Sequence, residues 1–165
     1  MKAIDVVKMA LQSSDEFCTS LVQDMRDAPL TQPTARGGNH PLWVMGHMAH
    51  TEGELAHVIT GEPNPVAEWK DLFGAGSQPT ADAKNYPSID EVLNKYRELR
   101  ALNLKMLDKI GDDGLDQSPR AVPKGMEHIF PTIGKAYLAI AMHQMSHAGQ
   151  VTVARRAAGR KLLVG

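Results

Sequence analysis

Apolar side chains recur at alternating steps of three and four from Ile4 to Met25, through Val7, Leu11, Ser14, Cys18 and Leu21. That spacing predicts a helix with one buried face. Pro29, Pro33 and the Gly37-Gly38 pair break the pattern and predict a loop. A second periodic segment runs from Pro41 to Thr60, with Val44, Met48, Leu55 and Val58 as its stripe. Pro41 suits the first helical position, with Asn39 or His40 before it as cap, and Gly61 suits the position just past the end. The connection from Glu62 to Pro87 carries four prolines. It has room for one short helical turn, Ala67 to Phe73, that tucks Trp69 and Phe73 onto the body. Ser88 and Glu91 form a capping box and open a third helix to about Ile110, stopped by Gly111 to Gly114. Its stripe is Ile89, Val92, Leu93, Tyr96, Leu99, Asn103, Met106 and Ile110. Thr132 caps a fourth helix that continues to about Ala158, with Ile133, Ala136, Tyr137, Ile140, Val151 and Ala154 on its buried face and Gly159 as its stop.

These elements predict an all-α fold, a four-helix bundle forming a single domain over residues 1–165. The connection after the second helix constrains the topology. About 26 extended residues reach some 80 Å, far beyond the ~30 Å length of a twenty-residue helix. The second and third helices can therefore run parallel, joined by a long crossover, and helices one and two, and three and four, can then be antiparallel neighbours.

Composition narrows the chemistry. Lys and Arg number 18 against 19 Asp and Glu, for a formal net charge of -1, so the cationic footprint of a nucleic-acid-binding protein is missing. Apolar runs fall short of the ~20 residues needed to span a bilayer. The charged start, Met1-Lys2-Ala3-Ile4-Asp5, lacks the apolar stretch of a secretion signal, and the expected location is the cytoplasm. Cys18 is the only cysteine, which excludes a disulfide scaffold and cysteine-ligated zinc or iron–sulfur sites. It lies in the first helix's apolar stripe with no Lys, Arg or His within a turn, so it reads as a buried hydrophobe rather than a reactive thiol.

The chain has seven histidines. His143 and His147 stand one turn apart in the fourth helix, close enough to meet on one ion. Seven histidines placed at random give roughly 0.3 such pairs, so the spacing is weak evidence alone. Helical phase adds to it: with Ile140 at zero, His147 falls near -20°, inside the apolar stripe, and His143 near -60°, at its edge. On the second helix, with Val44 at zero, His47 lies near -60°, His50 near -120° and His57 near -140°. Only His47 is aimed inward. His50 and His57 are expected at the flank or in solvent, His40 in the cap, and His128 in a loop. Two readings stay open. Each inward histidine bonds a nearby backbone or hydroxyl group, or His47, His143 and His147 together hold one ion and leave a position for water or substrate. Glu54, two turns beyond His47, reads either as a residue supporting such a site and accepting a proton, or as a solvated surface carboxylate.

Two segments carry a family resemblance. Trp43-Val44-Met45-Gly46-His47-Met48-Ala49-His50-Thr51-Glu52 resembles the second-helix signature of the DinB-like superfamily, in which a Trp stands four residues before a metal histidine and an acidic residue follows. His143-Gln144-Met145-Ser146-His147-Ala148-Gly149-Gln150 is similar to its fourth-helix signature. The resemblance implies a four-helix bundle with the long crossover, often a homodimer, and a divalent metal, usually zinc or nickel, on His47, His143 and His147. It also implies an activity: related proteins transfer low-molecular-weight thiols such as bacillithiol, mycothiol or glutathione, and one branch isomerises maleylpyruvate.

Three functions therefore stand open: metal-activated thiol transfer to a small electrophilic substrate, metal-dependent hydrolysis on the same ligands, and a non-catalytic metal-binding dimer. Arg36 and Arg155 are expected at the metal end of the bundle. They either hold a carboxylated or phosphorylated cosubstrate or are ordinary solvated or helix-capping arginines. The chain lacks a P-loop, a Gly-x-Ser-x-Gly elbow, a His-Glu-x-x-His helix and a dinucleotide fingerprint, which disfavours those enzyme classes.

Overall fold

The computed structural model describes residues 1–32 and 38–163. Five α-helices occur among them: α1 (Ala3–Gln23), α2 (Pro41–Thr60), the single turn α3 (Lys70–Phe73), α4 (Ile89–Ile110) and α5 (Ile133–Ala157). The described residues contain no strand, and the fold is the expected all-α bundle, with α4 and α5 as the third and fourth long helices. Local chemistry sets the ends. His40 Nδ1 accepts from the backbone N–H of Trp43, Pro41 fills the first turn of α2, and Gly61 closes it at φ 79°. Ser88 and Glu91 make the reciprocal capping box of α4, and the Thr132 hydroxyl accepts from Lys135 N–H at the start of α5. The first helix is expected to reach Met25 but ends at Gln23, and turns carry the chain on to Ala28 with Met25 still buried.

The packing corrects the expected pairing. α1 lies chiefly on α5, and α2 lies chiefly on α4, while α1 barely meets α2. Cross-helix bonds give the directions. Ser14 meets Gln144 and Asp24 meets Arg155, so α1 and α5 run parallel. Tyr96 meets Asp15 and Lys8 meets Asp108, so α1 and α4 run antiparallel. The crossover descends beside α2, with Asn64 bonded to the His50 carbonyl, Ser77 to Trp43, and Thr80 to His40. It delivers the chain to the start of α4, which runs parallel to α2 as expected. With the crossover on one side and α4 and α5 on the others, α2 is enclosed: 16 of its 20 residues are buried, so little of it has a solvent face.

Two apolar clusters fill the bundle. One gathers Cys18, Trp43, Met45, Phe73 and Tyr96, and the other Leu11, Leu55, Leu107, Tyr137 and Ile140. Between them runs a buried polar layer. Arg100 Nη2 lies 2.9 Å from Glu52 Oε1 and donates to Gln144 Oε1 at 2.7 Å. Asn103 donates to Glu52 Oε2, Gln144 Nε2 donates to the Tyr96 hydroxyl, and Ser14 donates to Gln144 Oε1. All four long helices contribute. Asn103 and Ser14, expected simply as members of apolar stripes, are part of this layer.

Two outcomes follow. Arg100→Met leaves the Glu52 carboxylate buried without its cation and should cost about 3–5 kcal/mol in urea unfolding, whereas Arg100→Met combined with Glu52→Leu should recover much of the loss. Burial pushes the Cys18 thiol up to about 12, so alkylation of the folded protein at pH 8 should be far slower than in urea. Because the unfolded thiol ionises near 8.5, the native state should also lose stability as pH climbs above that value toward 12.

Candidate metal centre

His47 sits in the second turn of α2, and His143 and His147 sit one turn apart on α5, which runs antiparallel to α2. The structure brings the three rings together. His143 Nε2 lies 3.4 Å from His47 Nε2 and 3.0 Å from His147 Nε2. One ligand atom from each of the three lies within 4.8 Å of the others. Two metal–nitrogen bonds of about 2.1 Å meeting at roughly 90–110° span such separations, so the three nitrogens can hold one ion.

The surrounding bonds set the tautomers of His47 and His147. His47 Nδ1 donates to the Phe73 carbonyl at 2.7 Å. His147 Nδ1 donates to Gln150 Oε1 at 2.7 Å, and the same oxygen accepts from Asn39 Nδ2 at 3.1 Å. With Nδ1 protonated, each ring turns its Nε2 lone pair to the common centre, as metal-ligating histidines do. Trp43 stacks on His47 with ring centroids 4.6 Å apart and 12° between planes. Its indole N–H donates to Ser77, which holds the flat face in place. The Phe73 carbonyl reaches His47 because residue 46 is glycine: a Cβ there would stand 2.1 Å from the Phe73 ring.

Burial keeps these imidazoles neutral. Desolvation, with smaller repulsion between the rings, lowers His47 and His143 to about 4, and burial lowers His147 too. Neutral rings are the form that binds metal, so competition from protons begins well below the free imidazole value of roughly 6.5.

A cavity of about 480 Å³ opens beside His47 and His143. It runs between α2, α3, α5 and the segment before α5. Helical phase places His50 at the flank of α2 or in solvent. That expectation is wrong: His50 is 6% exposed and lines the cavity, its Nε2 without a hydrogen bond and 3.7 Å from Glu54 Oε1. Phase was measured against one stripe, and the crossover covers the opposite side. The signal for that cover was Gly46 and Gly53, seven apart inside a helix, where close approach of another segment is the usual reason for glycine. A Cβ at Gly53 would stand 2.1 Å from Asn64 Oδ1. His57 is half-buried near the end of α2 and donates from Nδ1 to the Glu62 carbonyl, away from the cluster. His40 is the α2 cap, and His128 is exposed in a loop.

Glu54 lines the cavity and accepts from Asn64 Nδ2 at 2.6 Å. Arg155 does not serve the site: it is 2% exposed, and its Nε and Nη2 both donate to Asp24 Oδ2. A guanidinium that is buried and locked to a carboxylate is not free for a cosubstrate. Arg36 lies outside the described residues.

The DinB superfamily model matches residues 16–151, a stretch that includes all three clustered histidines. The chain belongs to the DinB superfamily. No curated protein matches it. Among the described residues of this DinB chain, no helix is long and apolar enough to cross a membrane.

Alanine at His47, His143 or His147 should abolish stoichiometric uptake of a divalent ion, read by elemental analysis, while alanine at His50 or His57 should not. Gln150→Ala should weaken affinity about 10–100-fold by freeing the His147 ring. Metal-free protein should lose stability as pH falls from about 6.5 toward 4, because over that window the unfolded histidines bind protons that the buried ones refuse.

Proposed function

We propose that the protein is a metal-dependent enzyme that activates a low-molecular-weight thiol, or water, for transfer to a small electrophilic substrate. His47, His143 and His147 would hold the ion; three imidazoles suit several first-row divalent metals, and the family resemblance favours zinc or nickel among them. The observation that carries the reading is the convergence of three histidine Nε2 atoms beside a cavity that His47 and His143 line. When bound, such an ion lowers the pKa of a thiol or water in its open position. Three neutral ligands leave its charge uncompensated and favour an anionic occupant there.

The chain's own residues supply the rest. Phe73 holds the His47 ring, Gln150 holds the His147 ring, and Trp43 fixes the plane of His47. Glu54, held by Asn64, offers a carboxylate on the cavity wall to take the proton that the nucleophile gives up. Hydrolysis uses the same ligands and differs only in the nucleophile. A purely structural role for the ion fits less well, because a structural site is closed whereas this one adjoins a cavity.

We also propose a homodimer. Met142, Met145 and Val153 are exposed on one side of α5, an apolar stripe that a second copy would cover. Light scattering should then give twice the chain's 18.0 kDa.

The activity test is a screen of several thiols against an electrophile such as a chlorodinitrobenzene, beside ester and amide substrates without thiol. Metal- and thiol-dependent conjugation is expected. Glu54→Gln should lower kcat by about 100-fold or more with metal content unchanged. Turnover of esters without thiol would favour the hydrolase, and metal binding with no turnover of either class would contradict the enzyme reading.

A further inference from the structure

The cavity beside the histidines has its own chemistry. It follows α2 from His47 to Val58, about 16 Å along the helix axis. Its volume of about 480 Å³ lies in the range that buries most of a drug-sized molecule. Apart from His47 and His143 at one end, its polar side chains are on α2 and α3: His50, Thr51, Glu54 and Lys70. Glu54 and Lys70 are formally opposite in charge, and Glu54 is already held by Asn64. A charged ligand body would find no net counter-charge among these groups, and burying it would cost free energy.

Beyond Glu54 the lining is apolar. Leu55 and Val58 form one wall and Ala139 and Ile140 the other. Across them lies a strap that leaves α2's side where Ala121 N–H donates to the Val58 carbonyl and rejoins the bundle where Ile133 N–H donates to Gln117. Between these ties the strap is built of turns, with Ile129 and Phe130 N–H both donating to the Met126 carbonyl. Met126, Ile129 and Phe130 line the cavity and stay only half-buried. Three neighbouring large apolar side chains on an irregular segment, facing a cavity rather than a packed core, have surface to gain by covering a ligand.

We propose that this cavity receives an uncharged, elongated apolar molecule, its reactive end at His47 and His143 and its body under the Met126–Phe130 strap. The molecule is the electrophilic partner in the proposed transfer, so this assignment rests on the reading that the three histidines hold an ion that activates the nucleophile. The apolar walls then select the acceptor, while the cationic end of the site selects the thiolate or hydroxide.

The experiment uses the full chain, metal-loaded and after chelation, titrated with the neutral fluorophore N-phenyl-1-naphthylamine. Saturable one-to-one binding with a blue-shifted emission is expected in both forms, since the walls are protein. Ala139→Trp, which fills the cavity from α5, should weaken binding about tenfold or more. Ile129→Glu, which places a charge on the strap, should do the same from the opposite wall, and helical circular dichroism should confirm that both variants fold. In the chelated protein, where no cation is present to attract it, the sulfonated, anionic analogue of the probe should bind more weakly than the neutral one. Absence of saturable binding, indifference to both substitutions in folded protein, or tighter binding of the anionic analogue by the chelated protein would each overturn the assignment. Probe binding by a chain that takes up no metal would sink the metal reading and leave the apolar pocket standing. Metal uptake without probe binding would do the reverse.

Discussion

The buried contact between Glu52 and Arg100, extended by Gln144 and Asn103, is the constraint on which the rest of the bundle depends. Apolar faces alone permit helices to rotate and slide with little loss of packing, since aliphatic and Met side chains adapt. A buried ion pair does not permit this. Glu52 and Arg100 are 1% and 4% exposed, so separating them leaves charges in a medium that cannot solvate them. Glu52 lies five residues beyond His47 on α2, and Gln144 lies between His143 and His147 on α5. The bonds that lock α2, α4 and α5 in register therefore lock the phase of the helices that carry the three histidines. The three-histidine cluster inherits its geometry from a polar layer that does not include the histidines themselves.

The crossover completes what the layer begins. Its path down α2 is possible because Gly46 and Gly53 present no Cβ, and this lets the Phe73 ring and Asn64 side chain press against the helix. One contact brings the Phe73 carbonyl to His47, and the other brings Asn64 to Glu54. The long connection is thus part of the site: it sets the His47 tautomer and holds Glu54 on the cavity wall. α5 orients His147 locally, since Gln150 stands three residues after it and reaches back along the same helix.

Much of this was legible in the sequence because helix ends are written in local chemistry. Pro41 and Gly61, Ser88 and Glu91, and Thr132 each act within one turn, and α2, α4 and α5 begin and end within a residue or two of where those signals place them. Chain length permitted the long crossover and the parallel run of α2 and α4, and the structure adopts both. Helix partners did not follow, because loop length permits several neighbours and the choice is made by side chains far apart in sequence. For Arg155 the sequence left open a cosubstrate contact or a solvated or helix-capping role, because its pairing with Asp24 spans 131 positions. His50 was expected at the flank or in solvent because one apolar stripe does not phase a helix enclosed on most sides. Its burial turns it from a bystander into a wall of the cavity.

The account stands or falls on whether one divalent ion is held by three imidazoles. X-ray absorption at the metal edge of the zinc-loaded protein reads the ligand shell directly, independent of activity. The account predicts about three imidazole nitrogens at about 2.0–2.1 Å, with the multiple-scattering pattern of histidine rings, and one or more light-atom ligands that a thiol replaces with sulfur near 2.3 Å. A shell with one imidazole or none, or an ion bound only by carboxylate and water oxygens, would contradict it.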